Sequence, residues 1–285
     1  MPDALPEPTL IDVAEALLRR GFCVLPGFLS SDLRAAFEAD YDAGSSSQNN
    51  AYSLGLPSAQ SLARLRPQLE ELVAAFGGSA EFRPNRIGGG VFFAIRNGID
   101  FGWHQDHESF FVNQTHRHYL NAYIAVRKPE RARSNLCLVP ADRFAAAAPE
   151  LWSKLEWGGA ATYREAAGRR FISDDWRGGE VGDLDFPIED IAETPELDAG
   201  DALLMRGDLF HRTQDTDTDR VALSVRVAGD THTVSRSHFL TSCDVKAWFL
   251  AQNAPMYEAI DAVFRETETL ALSDLLERAY RLRAS

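Results

Sequence analysis

Apolar residues fall at helical spacing in three early stretches, TLIDVAEALLRRG (9–21), SSDLRAAFEADYDAG (30–44) and SAQSLARLRPQLEELVAAFGG (58–78). That spacing predicts amphipathic helices, the first opened by Thr9 and stopped at Gly21, the third closed at Gly77-Gly78. Between the first two, FCVLPGF (22–28) reads as a short strand ended by Pro26-Gly27. GSSSQNNAYSLG (44–55) is polar and turn-rich, the composition of a surface loop or of a lid that responds to substrate.

From about residue 80 the periodicity changes to that of strands. GGGVFFAIRNG, FGWHQDHESFF, HYLNAYIAVRK, SNLCLVP, DALLMRGD and RVALSVRVAG are short β-rich runs punctuated by Gly, Pro, Asn and Asp. Without alternating helices, such a series predicts an antiparallel sandwich or barrel rather than a βαβ fold. Residues 141–196 interrupt the series and read as an insertion covering one mouth of the barrel. After residue 230 the pattern returns to helix, in amphipathic segments suited to pairing as a homodimer. The expected organisation is one domain: helical support over 1–79, a β core over 80–230 with its insertion, and a helical segment over 231–285.

Charge narrows the partners. A net charge of −13 on 285 residues opposes nucleic-acid binding, so a small-molecule partner is expected. Cys23, Cys137 and Cys243 are odd in number, widely spaced and set in apolar context, as buried thiols of a reducing compartment are. The opening MPDALPEPTL lacks the basic and apolar regions of a signal peptide, and no run reaches the length of a membrane span. A cytoplasmic protein without membrane contact is the expectation.

The candidate chemistry starts in FGWHQDHESFF (101–111). With seven His and 42 acidic residues, roughly one His-x-Asp/Glu arises by chance, so His104 and Asp106 need corroboration. On a strand, residues i and i+2 share a face about 6.6 Å apart, which lets both converge on one ion while Gln105 points away. A redox-active ferrous site of the two-His-one-carboxylate type needs a further imidazole and leaves three coordination positions open. His211 ends an apolar strand and precedes Arg220 by nine residues.

In that order, HQD at 104–106, AGD at 199–201, His211 and Arg220 resemble the phytanoyl-CoA-dioxygenase-like branch of the Fe(II)/2-oxoglutarate-dependent oxygenases. SNLCLVPADRF resembles that family's strand ending in Pro, although Asn135-Leu136 and Ala141-Asp142-Arg143 depart from the usual Asn-Gly and Gly-Ser-His. The resemblance covers roughly residues 80–230. It implies a double-stranded β-helix, a jelly-roll, cupin-like barrel, with Fe(II) on His104, Asp106 and His211. It also implies dioxygen and 2-oxoglutarate as co-substrates, release of succinate and CO2, and hydroxylation of a small organic molecule, with a place in natural-product biosynthesis. Asp106 occupies the position where related halogenases carry a small residue, which argues against halogenation.

The remote carboxylate of 2-oxoglutarate calls for a fixed cation, and Arg grips a carboxylate with two parallel hydrogen bonds. Arg220 matches the family position; Arg226, six residues on, shares its strand face. Thr213 and Asn121 are candidates for additional hydrogen bonds to the co-substrate, and Phe93, Arg96 and Trp103 for the substrate pocket. His107 reads as a neighbour of the site or a surface residue, and Glu108 as a partner of some nearby cation. His116-x-His118 lacks the glutamate a cupin places a few residues later, DTDTD (215–219) lacks the Gly and Glu of a calcium loop, and GGG (88–90) reads as a bend. A metal-binding barrel without turnover, acting as a sensor, and a demethylase-like enzyme are the alternatives from other classes.

Overall fold

The computed structural model describes residues 10–44, 55–76, 81–95, 101–229 and 232–284. The chain opens with α1 (Leu10–Arg19), β1 (Phe22–Leu25), α2 (Ser31–Asp42), α3 (Ala59–Ala75) and β2 (Arg86–Ala94). Next come α4 (Glu108–Asn113), β3 (Tyr119–Arg127), β4 (Leu136–Leu138), α5 (Ala141–Ala147) and α6 (Pro149–Leu155). β5 (Ala161–Ala166), β6 (Arg169–Asp174), β7 (Glu180–Leu184), β8 (Ala202–Arg206), β9 (His211–Thr213) and β10 (Val221–Ala228) complete the central part. The C-terminal part holds β11 (Thr233–Ser235), α7 (Arg236–Leu240), α8 (Asp244–Gln252), α9 (Ala254–Phe264), β12 (Thr269–Ala271) and α10 (Leu272–Ala284).

Helix starts follow local chemistry. Ser30 Oγ accepts the Leu33 amide and Ser58 Oγ the Ser61 amide, each taking up an otherwise unpaired donor of the first turn. Gly21 ends the first helix at φ +82°, a conformation that favours glycine. The polar stretch 44–55 falls almost wholly outside the described residues.

Five antiparallel strands form the larger sheet, in the order β1-β8-β3-β10-β2. Its alternation is strict. Leu120, Ala122 and Ile124 of β3 and Leu223 and Val225 of β10 pack against Val13, Leu17, Leu33, Phe37, Leu65 and Leu69 of the first three helices. On the opposite face, Tyr123, Ala125, Leu203, Met205 and Ala222 share a buried cluster with Leu136, Leu138, Ile172 and Phe210 of a second sheet. Two antiparallel sheets thus face each other with helices outside them, the layered form of a double-stranded β-helix.

The second sheet departs from the expectation in one place. FGWHQDHESFF is not a continuous strand: only His104 bridges, to His211 on one side and to Thr162 on the other, and Glu108 already begins α4. Paired hydrogen bonds hold it there. His104 N donates to His211 O at 3.1 Å and His211 N to His104 O at 2.9 Å, while Gln105 N reaches Ala161 O and Asp106 N reaches Gly207 O. The segment 103–106 therefore joins β4-β9 to β5-β6-β7. Residues 141–196 supply two short helices, those last three strands and a 3-10 turn at Ile188–Ile191, so they extend this sheet as well as bordering the site.

The family-like AGD sits away from the site and works as a turn. Asp201 accepts the Gly27 amide at 2.8 Å and the Asp198 amide at 2.7 Å, locking the chain as it enters β8. The acidic DTDTD is likewise tied down, with Asp215 accepting from Ser134 and Arg133.

Candidate metal centre and its cavity

Three side chains from two remote segments converge. Ligand atoms of His104, Asp106 and His211 all lie within 4.8 Å of one another, with His211 Nε2 3.6 Å from Asp106 Oδ1. The geometry follows from the strand bridge, which sets the two imidazoles side by side with ring centroids 4.4 Å apart. Gln105, between the first two residues, points into the body and donates to Asp208 O at 2.7 Å.

Both imidazoles are oriented for ligation. His104 Nδ1 pairs with Gly102 O at 2.7 Å and His211 Nδ1 with Leu209 O at 3.0 Å. A ring that gives Nδ1–H to a carbonyl keeps the Nε2 lone pair for a metal. Burial, and then the adjacent His211 and His107 rings, push the His104 pKa down to about 3, so this ring is neutral over the physiological range. Burial works against the Asp106 charge, yet His211, Arg226, His116 and His104 together hold its pKa below the ordinary value. Two imidazoles with Nε2 turned inward beside a carboxylate are the donor set that a divalent iron takes, and the residues present fit it.

Asp106 is itself held from behind. Tyr119 Oη donates to Asp106 Oδ2 at 3.2 Å and accepts from Arg226 Nε at 3.0 Å. Opposite Arg226, β2 carries a bulge: Val225 pairs with Gly90 but Val227 with Ile87. A Cβ at Gly88 would lie 2.8 Å from Arg226 O, which accounts for glycine in the GGG bend. Gly207, whose carbonyl anchors Asp106, has no room either, since a Cβ there would meet the His116 ring at 2.4 Å.

The triad opens into a cavity of about 550 Å³. Arg220, Thr213, Asn121, Phe93 and Arg226 all line it. Arg220 is 5% exposed and its Nη1 reaches the Tyr123 hydroxyl, yet among the described residues it forms no salt bridge and its buried Nε has no hydrogen-bond partner. Burial alone pushes its pKa down to about 10, and it stays charged at neutral pH. Asn121 instead accepts from Ser224 Oγ at 2.8 Å. Trp103 departs from the pocket expectation: it is 5% exposed, lies in the core between the sheets and donates from Nε1 to Glu189 at 2.7 Å. Trp103 has the parity of Gln105, opposite His104 and Asp106, so alternation by itself points it away from the site. Arg96 lies outside the described residues.

Several lining residues escaped sequence reasoning. His107, read as a neighbour of the site or a surface residue, is buried at 6% exposure and lines the cavity. Trp248, Phe249 and Val245 arrive from α8, far along the chain, with no local signal. Tyr119 and Tyr123 were also missed, although they share the parity of Asn121 on one strand, a signal that could have found them. Glu108, read as a partner of some nearby cation, accepts from Asn253 Nδ2.

None of the curated proteins compared matches the chain. Among solved structures, the non-heme alpha ketoglutarate dependent epimerase SnoN from nogalamycin biosynthesis is similar at 16% identity, over 78% of this chain and 83% of that one, with a TM-score of 0.49. HygX from Streptomyces hygroscopicus, solved with nickel and 2-oxoglutarate bound, is similar at 16% identity over 76% of this chain and 86% of that one, with a TM-score of 0.47. A Pseudomonas putida prolyl-4-hydroxylase is similar at 12% identity over 77% and 98%, with a TM-score of 0.45. Residues 17–222 match the family model of phytanoyl-CoA dioxygenase, and the chain belongs to that family.

Proposed function

We propose that the protein is a non-haem Fe(II)- and 2-oxoglutarate-dependent dioxygenase that hydroxylates a small organic molecule, with a role in natural-product tailoring. The observation that carries this reading is joint occupancy of one cavity: a two-His-one-carboxylate triad and a buried arginine without an anion among the described residues. A buried cation left unpaired is unfavourable, so its presence argues for an anionic ligand that completes the site.

His104 and His211 through Nε2, with Asp106 through its carboxylate, would hold the iron. When bound, iron and 2-oxoglutarate supply the oxidising chemistry, in which dioxygen is reduced as 2-oxoglutarate becomes succinate and CO2 and a substrate C–H becomes C–OH. The chain's own residues do the rest. Arg220 takes the remote carboxylate of 2-oxoglutarate in a bidentate grip, and Thr213, two residues beyond His211, adds a hydroxyl on the same wall. Tyr119 and Arg226 fix the orientation of Asp106. Phe93, Phe101, Trp248 and Phe249 exclude water and set which C–H of the substrate is presented.

The test is anaerobic titration with Fe(II) and 2-oxoglutarate, read as a visible charge-transfer band, followed by a succinate assay across candidate substrates. His211→Ala is expected to abolish both the band and turnover. A band that survives in this variant would remove His211 from the metal and sink the proposal.

A further inference from the structure

His107 lines the cavity but is not among the residues assigned to the metal or the co-substrate. Its ring runs near-parallel to two neighbours: His104, with centroids 5.8 Å apart and planes 27° apart, and Phe249, at 6.2 Å and 17°. Nε2 pairs with Asp175 Oδ2 at 3.0 Å. Asp175 is 7% exposed and anchored on several sides, by Ser173 Oγ at 2.7 Å, by Arg164 Nη2 at 3.1 Å and by Thr162 Oγ1. A carboxylate so fully engaged does not move, and it fixes the imidazole in turn.

The other ring nitrogen is unused. His107 occupies the N-cap position of α4, but its side chain makes no capping bond, and Nδ1 has no hydrogen-bond partner among the described residues. The surrounding wall is aromatic: Phe93, Phe101, Trp248 and Phe249 line the same cavity. Walls of that kind favour a flat ring system, and a single fixed polar group among them confers orientation. Nε2 gives its hydrogen to Asp175, so the Nδ1 lone pair takes a group that donates, such as a hydroxyl.

We propose that His107, clamped by Asp175, is the substrate-orienting residue of this cavity and that it hydrogen-bonds through Nδ1 to a hydroxyl on a flat, polycyclic aromatic substrate. The proposal rests on the dioxygenase reading for its consequence, which is the choice of the C–H presented to the iron, but binding tests it separately.

The probes are 7-hydroxyflavone and 7-methoxyflavone, which differ by one methyl group that removes the donor, its bulk being controlled by the same comparison in His107→Phe. Their affinities are measured by tryptophan quenching on the full chain loaded anaerobically with Fe(II) and 2-oxoglutarate. The wild type is expected to prefer the hydroxyl compound about 10-fold, the worth of one hydrogen bond in a desolvated site. Asn places a polar atom where Nδ1 stood, whereas Gln places one where Nε2 stood. His107→Asn therefore keeps the preference, while His107→Gln, which preserves the bond to Asp175, and His107→Phe both lose it. A role confined to holding Asp175 predicts the reverse, with rescue by Gln and not by Asn. Failure of either flavone to bind, equal binding of both by the wild type, or a preference that survives in His107→Gln overturns the proposal. Absence of the visible band in the wild type, with the hydroxyl preference intact, would fault the dioxygenase reading instead.

Discussion

The two faces of the five-stranded sheet use the same strands for opposite purposes. Toward the helices, β3 and β10 present Leu120, Ala122, Ile124, Leu223, Val225 and Val227, all fully buried and apolar. Toward the cavity the same two strands present Asn121, Tyr123, Ser224 and Arg226, with Arg220 immediately ahead of β10. The first face is a stability surface, in which volume is what counts. On the second, buried polar groups are held in cross-strand pairs, Tyr123 with Arg220 and Tyr119 with Arg226, at a cost in stability that only ligand binding offsets.

The largest effect separating the faces belongs to Leu223→Ala. Removing a fully buried leucine from the helix side should cost about 3 kcal/mol in urea unfolding. The Fe(II) and 2-oxoglutarate affinities of the folded fraction should stay unchanged. A variant that lost metal affinity as steeply as stability would show that the faces are not independent. On the other face, Arg220→Leu should reverse the pattern: 2-oxoglutarate affinity falls about 30-fold with loss of a charge-assisted pair, while the melting temperature of the ligand-free protein holds or rises as a buried unpaired cation is removed. Unchanged co-substrate affinity would pass the role to Arg226.

The difference between the faces also explains what the sequence disclosed. Period-two alternation in YLNAYIAV and RVALSVRV fixes both faces at once, so the core, Asn121 and the Arg220/Arg226 choice were all readable. His104, Asp106 and His211 were readable because motif order substitutes for distance. Alternation failed where the chain leaves regular strand geometry. Past Asp106 the chain turns into α4, which brings His107 to the cavity against strand parity, and no periodic signal marks that change. The Asp175 partner lies 68 residues away in a region read as insertion, and the α8 wall lies beyond the last strand of the sheet. Contacts closed over such separations depend on tertiary packing and leave no local trace.

Acid should strain the polar side first. His116 is fully buried beneath the site, with Nδ1 on Gly158 O at 2.6 Å and Nε2 without a partner. Burial pushes its pKa down to about 4, below the ordinary value, so the unfolded chain binds the proton more readily. Its contribution to stability is present above about pH 6.5 and is lost as pH falls toward 4, at up to ~1.4 kcal/mol per pH unit. Urea midpoints of the metal-free protein at pH 7, 6 and 5 should show a shallower decline in His116→Gln. Parallel curves would mean that His116 does not titrate in this window.

The smallest and most specific effects come from the two tyrosines of β3. Asp106 presents Oδ1 toward His211 and gives Oδ2 to Tyr119, so the hydroxyl holds the carboxylate turned with one oxygen toward the metal position. Tyr119→Phe removes that hydroxyl without removing the ring, and with it the hydrogen bond that turns Asp106. Fe(II) affinity should fall about 10-fold, as it does when the group supporting a ligand is lost, with little change in 2-oxoglutarate binding measured at saturating metal. Tyr123→Phe, four residues along the same face, touches Arg220 instead. It should weaken 2-oxoglutarate a few-fold, less than one full hydrogen bond because the guanidinium keeps its charge, and leave Fe(II) affinity alone. This crossed pattern is what two separate Tyr–Arg pairs require. Equal losses of both ligands in both variants would mean that the cavity face responds as one packed unit, and that the pairing seen between β3 and β10 carries no division of labour.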